Sequence, residues 1–287
     1  MSGVVTVGVD GSAQSLDAVA HAAREAGYRH AALRVVHALA GPTYVEALVW
    51  ERSEDLLRDE AYQLVDEAVA RARSVAPDVD VSGHVLTGEP LAVLEAQSRS
   101  SELVVVGSKG RSRFEDLLLG SNAAGLAAHG RCPVLVVREQ GDPSGPILLG
   151  VDGSPAGAAA IRFALDEAAV QGARVVALHA WTTWNAPVPP PGDPGEPYSS
   201  RPGMLAAAEH RLLAEALAGT SDRWPDVKVE HRTVREPTRS ALIEASACAR
   251  LTVVGSRGRG GFTGLLLGSV SQAVLHHAHG PVAVVRG

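Results

Sequence analysis

The chain is written twice, and whatever it folds into must repeat itself. Gly8-Val9-Asp10-Gly11-Ser12 returns as Gly150-Val151-Asp152-Gly153-Ser154. Arg34-Val35-Val36-His37-Ala38 is echoed by Val175-Val176-Ala177-Leu178-His179-Ala180. Val104-Val105-Val106-Gly107-Ser108-Lys109-Gly110-Arg111 matches Thr252-Val253-Val254-Gly255-Ser256-Arg257-Gly258-Arg259. Each copy then carries Leu-Leu-Leu-Gly-Ser, at Leu117 to Ser121 and at Leu265 to Ser269. Pro133 to Arg138 and Pro281 to Arg286 close the two halves. Matches that keep one order do not arise by chance, and internal repeats of this size mean two copies of one folding unit. The seam is Gln140-Gly141-Asp142-Pro143-Ser144-Gly145-Pro146, which divides the chain into domains at 1–140 and 144–287. A Pro-rich insertion from about Pro187 to Pro202 reads as an exposed loop.

Within each copy, strand and helix signals alternate. Short β-branched runs at 4–9, 33–38, 79–85, 103–106 and 133–137 read as fully buried parallel strands. Leu57, Ala61, Leu64, Ala68, Ala72 and Val75 recur at helical spacing, and Leu212, Leu213, Ala216 and Leu217 do so in the second copy. Five strands separated by helices imply right-handed crossovers and a doubly wound sheet. The expected fold is α/β, two tandem doubly wound five-stranded parallel-sheet domains. Ligands bind such sheets at the carboxyl ends of the strands.

The rest of the sequence removes competing classes. A net charge of −6 and the lack of a basic run argue against nucleic acid as the partner. Cys132 and Cys248 fit no metal or disulfide framework and read as two buried thiols in a reducing compartment. Met1 to Val7 lacks the features of a signal peptide, and no apolar run nears the roughly 20 residues of a spanning helix. A cytoplasmic protein without membrane association is expected.

The chemistry gathers after the fourth strand. Gly107 and Gly110 are separated by two residues, and nine more precede Gly120-Ser121; Gly255, Gly258 and Gly268-Ser269 keep that spacing. Glycines let backbone N–H groups approach a phosphate chain, and a helix N-terminus aims partial positive charge at it. Ser121 and Ser269 add hydroxyls, while Lys109, Arg111, Arg257 and Arg259 add charge. The plainer reading is that these glycines only make turns; two copies at one spacing favour phosphate binding. Neither a Walker A loop nor a Rossmann Gly-x-Gly-x-x-Gly is present. Asp10 and Asp152 end the first strand of each copy, where they can meet a base or ribose or cap the next helix. Ser12 and Ser154 are expected to take the cap, leaving each Asp to the ligand.

Together the glycine spacing, the first-strand Val-Asp-Gly-Ser and the His closing the second strand resemble the universal stress protein family, in its ATP-binding subgroup. The resemblance covers all but the linker and the insertion. It implies a Rossmann-like fold of the adenine nucleotide alpha hydrolase type and one ATP per half, accompanied by Mg²⁺. The adenine is expected against Asp10 and the backbone of Ala38, or Asp152 and Ala180, with Gly8 and Gly150 on the strand carrying each Asp. Ribose and phosphates should follow Gly107, Ser108, Lys109, Gly110, Arg111, Ser112 and Arg113 to Gly120, Ser121 and Asn122. In the second copy they follow Gly255, Ser256, Arg257, Gly258, Arg259, Gly260 and Gly261 to Gly268, Ser269, Val270 and Ser271. The family pairs through its last strand, so the halves, and two chains as a homodimer, should associate through 133–137 and 282–285.

Some positions depart from the pattern. After Gly-Ser the second copy reads Val270-Ser271 and the first Asn122-Ala123, so the first lacks one phosphate-facing hydroxyl unless Asn122 substitutes for it. Glu115 and Asp116 stand where the second copy has Thr263 and Gly264, either competing with phosphate or holding Mg²⁺ through water. The second site should therefore bind ATP more tightly. Arg235 replaces Gly88 with no evident reason. His276-His277-Ala278-His279 reads as a dipole-favoured helix end rather than a metal site, and His37 and His179 as structural hydrogen-bonders. No catalytic residue is assigned. The expected function is nucleotide-dependent regulation in stress physiology; the rivals are a slow ATPase or nucleotidyl-transfer enzyme, and a scaffold that binds no nucleotide.

Overall fold

The structure, a computed structural model, describes residues 3–40, 54–110, 119–138, 141–182, 204–259 and 266–287. The Pro-rich insertion lies outside the described residues, as do Arg111, Ser112, Arg113, Glu115, Asp116, Gly260, Gly261, Thr263 and Gly264.

The first half runs β1 (Val4–Val9), α1 (Ala13–Arg29), β2 (Ala32–Leu39), α2 (Glu54–Val75), β3 (Val81–Thr87), α3 (Pro90–Gln97), β4 (Leu103–Gly107), α4 (Ser121–His129) and β5 (Val134–Val137). The second runs β6 (Ile147–Gly150), α5 (Ala158–Gln171), β7 (Val175–Ala180), α6 (Met204–Ala216), α7 (Thr220–Arg223), β8 (Val229–Val234), α8 (Thr238–Ser246), β9 (Leu251–Gly255), α9 (Ser269–His277) and β10 (Val282–Val285). Each half is a parallel sheet, ordered β3-β2-β1-β4-β5 and β8-β7-β6-β9-β10. The winding reverses between β1 and β4, and between β6 and β9. Connections leave those neighbours in opposite directions, so a cleft opens above the carboxyl ends of each pair.

The central strands alternate between two apolar layers because successive side chains point to opposite faces. Val5, Val7, Val105 and Leu135 join α1, α2 and their counterparts on one face; Val104, Val106, Val134 and Val136 join α4 and α9 on the other. Each fully buried Val or Leu contributes about 1.5–3 kcal/mol, enough to override the weak helix propensity of the Val residues in α2. The third strand differs from expectation. It spans Val81–Thr87 rather than 79–85, and Ser82, Gly83 and His84 are exposed, because β3 is the sheet edge and carries a helix on one face only. Val79 packs onto the core from the preceding loop.

Both last strands, Val-Leu-Val-Val and Val-Ala-Val-Val, are buried along their whole length. Left as edges they would expose flat apolar strands open to pairing with other chains. They pair with each other instead, antiparallel, with Leu135 opposite Ala283 and Val136 opposite Val282, making one ten-stranded sheet. The halves associate as expected. The expected homodimer through the same strands is corrected: β5 lies between β4 and β10, and β10 between β5 and β9, so neither has an edge left for a second chain.

Polar ties reinforce this seam. Arg29 of α1 reaches both Glu25 and Glu167, its counterpart in α5, and Gln171 donates to Glu167 Oε2 at 2.9 Å. Arg138 donates to the Leu275 carbonyl at the end of α9, and Arg286 to the Ala128 carbonyl at the end of α4. Each α4-type helix thus meets a cation from the opposite half at its negative end. That role was expected of His276, whose protonation is held down by burial first and then by His277 and Arg138.

The thiols also differ from expectation, since Cys248 is exposed and Cys132 half-buried. Burial pushes the Cys132 thiol up to about 11, against two weaker backbone hydrogen bonds that lower it. At pH 8 its reactive thiolate is then about 0.1% populated. A disulfide reagent at pH 8 should label Cys248 quickly and Cys132 only on unfolding; equal rates for both would contradict this. Among the described residues no helix is long and apolar enough to cross a membrane.

Candidate functional site

Each cleft is assembled from two loops. The first follows β1 or β6. Its glycine takes the left-handed conformation, φ 81° at Gly11 and 69° at Gly153, which turns the chain sharply after the Asp. Asp10 Oδ1 then accepts from the Ser12 amide at 3.0 Å and the Ser12 hydroxyl at 2.6 Å. Asp152 Oδ1 accepts from the same groups of Ser154 at 2.9 and 2.7 Å. The serines cap the next helical turn as expected, Ser12 Oγ accepting from the Ser15 amide and Ser154 Oγ from the Gly157 amide, both at 3.2 Å.

The second loop is the glycine stretch after β4 or β9. A Cβ added at Gly110 would lie 2.6 Å from Asp10 Oδ2, and one at Gly258 would lie 2.5 Å from Asp152 Oδ2. The second glycine of each motif is therefore the point where this loop touches the first-strand carboxylate. In the second half the contact is completed by the Arg259 amide, which donates to Asp152 Oδ2 at 2.8 Å. Asp152 organises both loops, a role broader than the ligand contact expected of it.

The motif's last glycines begin α4 and α9. Gly120 and Gly268 are the N-caps and carry no side-chain cap. Their own amides donate back to the Ser108 and Ser256 carbonyls at 2.7 and 2.8 Å, closing each loop. Ser121, Asn122 and Ser269 are exposed in the first turn, and amides that begin a helix have no partner within it. An exposed, uncapped helix start beside a glycine loop fits an anion.

In the second half these parts enclose a cavity of about 740 Å³, the size of a small-ligand pocket. Of the expected residues, Gly150, Asp152, Ala180, Gly255, Arg257, Gly258 and Arg259 line it, with Gly268, Ser269, Val270 and Ser271 from the start of α9. Others serve the frame. Ser108 and Ser256 are buried; their amides donate to Val137 and Val285 and anchor the loops to the last strands. A Cβ at Gly8 would meet Leu94 at 3.0 Å, so that glycine lets α3 approach the sheet. Gly107 is crowded by the Gln14 backbone, 3.1 Å from its would-be Cβ. Lys109 is half-buried and Gly110 exposed beside it.

Ser271 lines the cavity and also has a structural bond: it is 4% exposed and donates to the Gly255 carbonyl at 2.6 Å, tying the glycine loop to α9. The first half has buried Ala123 there and lacks the tie. His37 and His179 behave as structural hydrogen-bonders: each Nδ1 lies 2.8 Å from the carbonyl of Val9 or Val151. Arg235 now has a reason. Its guanidinium lies 5.7 Å from the Trp181 ring centre, a cation–π contact, whereas the first half uses Gly88 at φ 146°.

Sequence reasoning missed Trp181, Glu209 and Thr238, all of which line the cavity. Thr238 donates to the Ala180 carbonyl at 3.1 Å. The signal for Glu209 was a carboxylate at a core register of α6, four residues before buried Leu213. Among the described residues no group of three or more His, Cys, Asp or Glu could hold a metal ion.

Comparison with known proteins agrees with this architecture. The chain matches the universal stress protein family over residues 1–138 and again over 144–286. It is 38% identical to Universal stress protein Rv2005c of Mycobacterium tuberculosis, with 98% of this chain and 96% of that one covered. It is 39% identical to a universal stress protein of Mycolicibacterium smegmatis at the same coverage. A crystal structure of a universal stress protein from Archaeoglobus fulgidus superimposes over the whole chain with a TM-score of 0.72 at 18% identity, a likeness of fold. The chain is a member of the universal stress protein family, carrying its domain twice.

Proposed function

We propose that each half binds one adenine nucleotide, with ATP as the ligand, and that occupancy regulates the protein in stress physiology in the cytoplasm. One observation carries this reading. In both halves the middle glycine of the motif meets the first-strand Asp, beside an uncapped helix start. Two loops joined at a glycine and a carboxylate leave neighbouring amides and the helix dipole facing one cleft. A polyphosphate tail is the ligand that geometry suits. Mg²⁺ would arrive with the triphosphate and neutralise part of its charge.

The adenine would lie over the ends of β6 and β7, against Asp152 and Ala180, and the phosphates over Gly255 to Ser269. Asp152 Oδ2 accepts one bond from Arg259 and has capacity for a ribose hydroxyl. Both acidic residues of this cavity already hold structural bonds, Asp152 to the loops and Glu209, through Oε2 alone, to His179. That favours binding over turnover, which needs a positioned base and a held metal. Regulation then requires that nucleotide bind one conformation better than another.

Mass spectrometry of material released from freshly purified protein should find an adenine nucleotide, and titration should reach two equivalents per chain. Protein that arrives empty and takes up no ATP would refute the reading; steady hydrolysis would favour an enzyme. The second site should be the tighter, because the Ser271 tie holds its loop in place before ligand arrives. Asp152→Ala should remove the tighter class of site in calorimetry and Asp10→Ala the weaker. Equal losses from the two variants count against the ranking.

A further inference from the structure

The halves differ at a buried position that neither motif explains. The burial pattern along α2 from Ala61 to Glu67 repeats along α6 from Glu209 to Glu215, which places Glu209 where the first half has Ala61. Both are buried, Ala61 at 3% and Glu209 at 1% exposure. A carboxyl in an aliphatic register is costly unless its oxygens find partners. Only one does: Oε2 lies 2.5 Å from His179 Nε2, while Oε1 is buried with no hydrogen-bond partner among the described residues.

Proton accounting settles what Oε1 offers. His179 Nδ1 faces the Val151 carbonyl at 2.8 Å, and a carbonyl only accepts, so Nδ1 carries a proton. A single further proton bridges Nε2 and Oε2. Whether it sits on the imidazole or on the carboxyl, Oε1 remains an acceptor. Glu209 and its partner His179 line the cavity, as do the next two residues, Ala180 and Trp181, at the end of β7. β7 is separated from β9 by β6, so that end lies roughly 10 Å across the sheet from the glycine loop. The second half also places Trp181, with Arg235 over its ring, where the first has Leu39 and Gly88.

We propose that a base seated at this end of the cavity displaces the groups now covering Glu209 Oε1, and that this oxygen then reads the base's exocyclic amino group. The second site then selects 6-aminopurine nucleotides, while the first, with Ala61, does not discriminate at that atom. This rests on the nucleotide reading above and adds the residue that sets base specificity. A purine bearing oxygen at the same carbon would set acceptor against acceptor. One bearing hydrogen would leave Oε1 unpaired.

The test compares ATP with purine riboside 5′-triphosphate, which lacks only the amino group. Calorimetry would use the full chain carrying Asp10→Ala to weaken the first site. The second site should prefer ATP by about tenfold to a hundredfold, since a site built around a donor rejects the analogue lacking it. Glu209→Ala, which installs the first half's residue, should bring the two ligands to near-equal affinity. Glu209→Gln should retain most of the preference, because its amide nitrogen can donate to His179 while its oxygen stays in place. Equal affinity for both ligands without any change at Glu209, or an undiminished preference in Glu209→Ala, overturns the inference and leaves nucleotide binding intact. Binding of neither triphosphate to the unaltered chain overturns the nucleotide reading, and this inference with it.

Discussion

Gly258→Ala is expected to weaken nucleotide binding in the second half by about a hundredfold, equivalent to about 2.8 kcal/mol, with little change in melting temperature. The added methyl would lie 2.5 Å from Asp152 Oδ2. A side-chain oxygen could ordinarily swing away, but this one is held. Oδ1 takes two bonds from Ser154 and Oδ2 takes one from the Arg259 amide. Either the carboxylate gives up those bonds or the glycine loop moves outward, and both outcomes take loop amides away from the ligand. Gly110→Ala should do the same to the first site, where the separation is 2.6 Å. Gly27→Ala is the control, since its methyl would meet only Val79 at 3.7 Å inside α1. It should leave binding unchanged and raise stability by up to about 1 kcal/mol. Equal nucleotide affinities for the Gly258 and Gly27 variants would contradict the proposed cleft.

The second large effect concerns stability. Arg29→Ala should destabilise the chain by about 3 kcal/mol, lowering the melting temperature by roughly 5–10 °C. Glu25 and Glu167 are both buried, at 7% and 2% exposure, and the Arg29 guanidinium is the cation joining them across the seam between α1 and α5. Without it two carboxylates remain close together in a poorly solvated place. Gln171→Ala removes a neutral donor 2.9 Å from Glu167 and should cost only about 1 kcal/mol. Similar thermal shifts for the two variants would show that the buried charges are not what the seam depends on.

Much of this was legible from the repeat. Duplication announced the two units, and the β-branched runs located β1, β2, β4 and β5 within a residue or two. The third run was misread because local apolarity does not say which strand is an edge; order in the sheet decides that. The pairing of β5 with β10 followed from two short, wholly apolar last strands, but that this pairing uses up both edges appears only once the order is known. Asp152 and Gly258 were each visible as motif residues. Their contact joins segments more than 100 residues apart, which no spacing reveals. The bond from Ser271 to the Gly255 carbonyl was not legible either, because it depends on how the first turn of α9 aims that hydroxyl. Glu209 was hidden inside a helical pattern, since one polar residue at a core register does not disturb an otherwise apolar face.

Amide resonances of the full chain, followed during titration with Mg-ATP, address the site most directly. The backbone N–H signals of Gly110, Gly120 and Ser121, and of Gly258, Gly268 and Ser269, should move together and saturate, with those of β3 and β8 nearly still. Saturation with the glycine signals unmoved would mean that the loops only turn the chain and that nucleotide, if bound, lies elsewhere.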